Sequence, residues 1–240
     1  MESLETLWLR YNKISTVSPS IFRLHRLKML DLRENKISEL PSEMGQLAAL
    51  SILLLSSNHL KSLPSELGRC SQLTQIDLQH NELRTLPISL GDLRGLKRLG
   101  IRYNQITELP ASLARCTLLD EFIVESNKLQ SLPDGILVSL ANLKTINLSR
   151  NQLAAFPQGG PQQFESAVSV NVEHNSISKI PFGIFSRASG LTKLNLKENE
   201  LAALPLGEYR VDVDNMIQYN CRLRDVDLPD RAEYLQQRTR

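Results

Sequence analysis

The 240-residue sequence predicts an α/β-type solenoid, with a curved parallel sheet on its concave face and mostly irregular segments on its convex side. Three observations predict it. Asparagines fall at 12, 35, 58, 81, 104, 127, 151, 175 and 199, spaced by 23 residues five times and then by 24 three times. Each ends one copy of a shared pattern, L-x-x-L-x-L-x-x-N, as in LETLWLRYN, LKMLDLREN, LTQIDLQHN and LTKLNLKEN. Leucine supplies 44 residues, whereas Phe, Tyr and Trp together supply only 12, as expected of a small apolar unit copied about nine times.

Within one copy, x-L-x-L-x alternates with period two and predicts a short strand whose leucines point inward. The closing asparagine stands where the chain turns away, and its amide can satisfy backbone groups that stacked turns would otherwise bury unpaired. Asn12, Asn35, Asn58, Asn81, Asn104, Asn127, Asn151, Asn175 and Asn199 are therefore expected to form a structural ladder. An apolar residue and a proline follow in most copies (Pro41, Pro64, Pro87, Pro110, Pro133, Pro157, Pro181, Pro205). Proline fixes φ and lacks a donor, so it carries the chain to the outer face without starting a second sheet. This is the leucine-rich repeat: one turn cannot bury its own leucines, and stability comes from its neighbours. Nine strands at roughly 4.7–4.9 Å spacing make a sheet on the order of 40 Å long.

The array is expected over residues 1–206 and a non-repeat tail over 207–240. In the tail, Pro229 to Arg238 can open a helix at proline and cap the last turn, or the segment is disordered. The eighth copy replaces leucines by Ala167, Val168, Val170 and Val172 after Gly159, Gly160 and Pro161, so a looser outer segment is expected there. Without recognisable caps, the end turns should fray and self-associate.

Composition narrows the function. Lys and Arg number 28 against 26 Asp and Glu, a formal charge of +2, which gives no electrostatic argument for a nucleic-acid partner. No apolar run reaches the roughly 18 residues of a spanning helix, so membrane insertion is not expected. Cys70, Cys116 and Cys221 show no C-x-x-C spacing. Cys70 and Cys116 each lie twelve residues after a ladder asparagine, where other copies place Leu24, Leu47 and Leu93, and so read as core residues. A reducing, cytoplasmic location is expected, with the nucleus as a second compartment. Asn147-Leu148-Ser149 matches a glycosylation acceptor but falls on a strand.

No catalytic constellation emerges. His80 and His174 hold the same position four copies apart, roughly 19 Å along the sheet, too far to share a metal. Asp31, Asp77 and Asp120 are expected to be solvated on an open sheet. Neither a metal, a cofactor nor an enzymatic activity is expected. What remains is the outward face of the strands, whose candidate protein-binding residues are Trp8, Arg10, Tyr11, Met29, Asp31, Arg33, Gln79, His80, Arg102, Tyr103, Glu125, Arg150 and His174. Ile52 and Leu54 join them as exposed aliphatic groups. Aromatic side chains beside arginines are the mixture enriched at protein–protein hot spots. Arginines towards one end and Glu121 with Glu125 further along can orient a partner.

Several stretches go beyond the repeat: LKMLDLRENKISELP, LDLQHNEL, RLGIRYN, FPQGGPQQF, NVEHNSISKIPFGIFSRA and LTKLNLKENELAALPL. In these the chain resembles the Shoc/Sur leucine-rich-repeat Ras-scaffold family over roughly residues 4–206. The resemblance implies a scaffold, itself no catalyst, that holds a GTP-loaded Ras-type GTPase, chiefly M-Ras, together with the catalytic subunit of protein phosphatase 1. Raf kinase is the indirect partner, dephosphorylated to promote MAP-kinase signalling. It also brings Met29, Asp31 and Arg33 forward as partner contacts. The family has about twenty repeats and a Lys-rich N-terminal extension, so a truncated member is expected. The alternative is a generic cytosolic adaptor with unrelated partners.

Overall fold

In the computed structural model, which describes residues 3–202, each copy contributes one strand to one parallel sheet. The strands are β1 (Thr6–Trp8), β2 (Met29–Asp31), β3 (Ile52–Leu54), β4 (Gln75–Asp77), β5 (Arg98–Gly100), β6 (Glu121–Ile123), β7 (Thr145–Asn147), β8 (Ser169–Asn171) and β9 (Lys193–Asn195), paired in sequence order. Register follows the repeat: Leu7 pairs with Leu30, Leu30 with Leu53 and Leu53 with Ile76. Regular pairing covers three residues rather than the five of the alternating pattern, although bonds between turns continue past it, as from Tyr11 N–H to Arg33 O and from Glu34 N–H to Ser56 O. The expected tail helix, Cys221 and Pro205 lie outside the described residues.

The inward leucines form one continuous core in which Leu30, Leu53, Ile76, Leu99, Phe122, Ile146 and Val170 are all buried. Cys70 and Cys116 lie in that core as expected, both free, with their thiols donating to the carbonyls of Met44 and Leu90 one turn earlier. Burial pushes both thiols up to about 11, which leaves them protonated and unreactive at neutral pH.

The convex side departs from expectation. Outer segments are regular 3-10 turns at Pro19–Arg23, Ser42–Gln46, Ser65–Arg69, Ile88–Asp92, Ala111–Arg115 and Pro161–Phe164. Pro41, Pro64, Pro87 and Pro110 stand extended immediately before four of them, so the turn starts where a fixed φ and a missing donor cost nothing. Where the spacing grows to 24, a left-handed glycine absorbs the extra residue. Gly135 has φ 68° and leads into a single α turn, Ile136–Ser139, while Gly160 and Gly183 have φ 65° and 68° in the next two turns.

The eighth copy is not loosened by its small residues. Phe156 and Phe164, both between β7 and β8, and Phe185 from the next turn pack with ring centroids 5.0–6.4 Å apart and fill the space that leucines occupy elsewhere. Buried Gln163 donates to the carbonyls of Pro157 and Gly160, tying down the glycine-rich loop.

Candidate protein-binding face

Behind the face lies the asparagine ladder. Asn81 donates to the carbonyls of Leu55, Leu78 and Gln79 at 3.0, 3.0 and 3.3 Å and accepts the Leu60 N–H at 2.9 Å. The same four-bond pattern, spanning two turns, recurs at Asn35, Asn58, Asn104, Asn127, Asn151 and Asn175. Asn199 likewise makes three donations and accepts from Ile177. Asn12 is exposed and donates only within its own turn, to Leu9 and Arg10.

The residue before each asparagine carries a positive φ of 52–57°: Tyr11, Glu34, Ser57, His80, Tyr103, Ser126, Arg150, His174 and Glu198. Five candidate binding residues, Tyr11, His80, Tyr103, Arg150 and His174, therefore project from a left-handed turn at the sheet's rim rather than from a strand. Each pays roughly 1–2 kcal/mol for that conformation. The neighbouring turns hold it there through bonds such as His80 N–H to Arg102 O and Tyr103 N–H to Glu125 O. One row of side chains is thereby splayed outward in register.

Exposure sorts the candidates. Trp8 is 67% exposed, Tyr11 70% and Tyr103 40%, and Arg10, His80, Arg150 and His174 also face solvent. Met29, Arg33, Gln79, Arg102 and Glu125 are half-buried. Two expectations, the exposure of Leu54 and of Asp31, are corrected, and the serine of the glycosylation acceptor is hidden as well. Leu54 is buried, wedged between its cross-strand neighbours Asp31 and Asp77. Ser149 is buried, with its hydroxyl donating to Asn147. Asp31 is only 1% exposed, so it is neither solvated nor free to touch a partner.

Asp31 instead grips Arg33 in a two-pronged ion pair, Nε to Oδ1 at 2.9 Å and Nη2 to Oδ2 at 2.6 Å, and accepts the Arg33 backbone N–H at 3.1 Å. Burial pushes the Asp31 carboxyl up, but the hydrogen bonds and charge of Arg33 outweigh it and hold the group below its ordinary value. The backbone half of this bracket recurs. Asp77, Asn147, Asn171 and Asn195 each end a strand and accept the N–H two residues on, at 3.0–3.2 Å. The signal was present as Asp or Asn at the third strand position of five copies, but alternation alone assigns that position to the outward face. Asp120 lies just before β6 rather than on it.

Arginines and aromatics meet at two places. Arg10 lies over the Tyr11 ring at 4.4 Å and donates to its hydroxyl at 3.0 Å. Further along, His80 and Tyr103 stack with centroids 4.4 Å apart and planes 9° from parallel, and Arg102 lies 5.8 Å from the same ring. Arg102 also donates from Nε to the Gln79 side-chain oxygen. Gln79, His80, Arg102 and Tyr103 thus form one cluster, beside a shallow depression of about 290 Å³ over β4–β6. Among the described residues no group of three or more His, Cys, Asp or Glu converges at metal-binding spacing. Nor is any helix there long and apolar enough to cross a membrane.

Residues 2–60 and 49–106 match the family model described as leucine rich repeat. The chain is a leucine-rich-repeat solenoid. A structure described as that of a TDR receptor superposes with a TM-score of 0.74 at 29% identity, covering 82% of this chain and 35% of that one. The functional domain of InlJ from Listeria monocytogenes superposes at 0.72 with 22% identity, covering 85% and 41%, a likeness of fold alone. Among curated relatives, the leucine-rich repeat protein soc-2 homolog of Drosophila yakuba is 58% identical over 38 residues, which is 16% of this chain. The soc-2 protein of Caenorhabditis briggsae is 61% identical over 36 residues, or 15% of this chain. The match spans only 6% of the length of each of these relatives. Over that stretch the Shoc/Sur resemblance holds.

Proposed function

We propose that this leucine-rich-repeat protein is a non-enzymatic scaffold whose concave face binds a GTP-loaded Ras-type GTPase, chiefly M-Ras, and the catalytic subunit of protein phosphatase 1. The assembly promotes Raf dephosphorylation and MAP-kinase signalling. The observation that carries the reading is that exposed Trp8 on β1 is accompanied along the sheet's rim by exposed Tyr11 and Tyr103, each beside an arginine, Arg10 and Arg102. Likeness to the soc-2 relatives directs the choice of partners. Large, stiff aromatic rings give contact area at low entropic cost and planar guanidinium groups give directed hydrogen bonds, which suits protein recognition better than small-molecule chemistry.

Capture of purified GTPase on the immobilised chain tests the reading. Retention of the GTP-loaded form in preference to the GDP-loaded form is expected, and the Arg33→Glu variant, shown folded by its thermal transition, should lose at least about tenfold in affinity. Equal or absent retention of both forms, together with no retention of the phosphatase subunit, overturns it in favour of an adaptor with unrelated partners.

A further inference from the structure

Asp31 and Asp77 occupy the same place in the fold, the last residue of a strand, two turns apart in one register row. Both accept the backbone N–H two residues further on. They differ in what that next residue offers. Arg33 returns a guanidinium to Asp31 and saturates both carboxylate oxygens. Gln79 has no charge to return, and its side-chain oxygen is taken by Arg102. Among the described residues, Asp77 makes no ion pair.

The Asp77 carboxylate is half-buried, and the Arg33 charge acts on it without forming an ion pair. Its cross-strand neighbours are Leu54 and Gly100, neither of which carries charge. A Cβ placed on Gly100 would come within 3.2 Å of Asp77 Oδ1 and 3.0 Å of Gln79 Nε2, so glycine lets these side chains lie closer over β5 than a larger residue would without their shifting. The depression beside them is about 290 Å³, lined in part by Asp77, Gln79, Gly100 and Ile123. Two arginines share its wall. Arg98 stands beside Glu121 in the strand register and Arg102 is held on Gln79, and among the described residues neither arginine pairs with Asp77.

We propose that the depression over Gly100 receives an arginine side chain of the bound protein, whose guanidinium engages Asp77 as Arg33 engages Asp31 within the chain. The geometry of the internal pair is the template: a strand-end carboxylate, already oriented by a backbone N–H, presents its free edge to a planar fork of donors. Ile123 and the backbone at Gly100 give the incoming methylene stem an apolar floor. The inference rests on the face being a protein-binding surface, but it can fail separately from the identity of the partners.

The test uses N-acetyl-arginine amide as probe, followed by carboxyl carbon NMR of the whole chain, with N-acetyl-lysine amide as comparator. The Asp77 resonance should move in a saturable way with the arginine probe and less with the lysine one, while Asp31, occupied by Arg33, stays still. The Asp77→Asn variant preserves the backbone bracket, since Asn147, Asn171 and Asn195 make it in their own turns, and it should abolish the probe response elsewhere in the depression. The same variant should weaken capture of the protein partner about tenfold, as expected when one member of a partly desolvated charge pair is removed. No movement at Asp77, movement no larger than at exposed Glu121, or equal response to both probes overturns the proposal. If neither GTPase nor phosphatase is retained by the unaltered chain, the partner assignment fails, while the probe titration still decides the arginine site.

Discussion

At the scale of single residues, the asparagine side chain outweighs any one leucine in what it satisfies. An interior ladder residue such as Asn81 serves one buried N–H and three carbonyls belonging to two turns. Replacing it by alanine leaves those groups without partners in a place water does not reach, so Asn81→Ala should lower stability by about 3 kcal/mol. Asn12→Ala, at an exposed site with two bonds inside its own turn, should cost under about 1 kcal/mol. Urea denaturation of the two variants checks the contrast, and equal losses would mean that the ladder's cross-turn bonds contribute nothing. The ladder positions were legible in the sequence because spacing alone marks them. The bracket role of Asp31 was not, because whether an outward carboxylate meets water or a neighbour depends on the residue two places on and on how tightly Leu54 packs beside it.

At the scale of the element, the convex 3-10 turns are held close enough that some positions admit no side chain. A Cβ on Gly45, Gly68 or Gly91 would meet the carbonyl oxygen of the next outer turn at 2.7, 2.5 or 2.2 Å, a backbone atom that cannot swing aside. Alanine ordinarily gains about 1 kcal/mol over glycine in a helical turn. Here the collision should reverse that sign, and Gly91→Ala should destabilise by about 1–3 kcal/mol, read as a lower thermal midpoint. The equivalent residue one turn later is Ala114, and the segment that follows it is the α turn Ile136–Ser139 rather than another five-residue 3-10 turn. The recurring spacing of a proline, two variable residues, Leu or Met and a glycine (41–45, 64–68 and 87–91) was visible in the sequence, but its regular geometry was not: short i to i+3 turns have no hydrophobic period long enough to distinguish them from irregular chain.

At the scale of the whole molecule, stability is distributed as in a stack whose members lean only on their neighbours. Leu7, Leu9, Ile14, Ile21 and Leu24 in the first described turn are only partly buried, whereas Leu30, Leu32, Ile37, Met44 and Leu47 one turn later are almost fully buried. Amide hydrogen exchange should therefore be fastest in β1 and slowest across β3–β6, with a graded rise in protection between them. Uniform protection from the first strand inward would contradict a nearest-neighbour stack. The same arrangement bears on binding: the His80, Tyr103 and Arg102 cluster lies over β4–β5, the well-supported part of the sheet, while Trp8 and Tyr11 sit on the most weakly supported turn.

Periodicity determined the architecture. Nine copies at 23–24 residues, each with inward leucines and a closing asparagine, leave no other way to bury the apolar face of a unit too small to fold alone, and the register of the sheet follows from it. The partition of the outward residues was decided only by the tertiary structure, because it depends on contacts between turns that no single copy encodes. Asp31 disappears beneath Arg33, Leu54 sinks between its cross-strand neighbours, and five rim residues are thrown outward by a left-handed turn that the adjoining strands enforce. The opening over Gly100 is of the same kind: a missing side chain on one strand matters only because Asp77 and Gln79 of the strand before it lean across the gap.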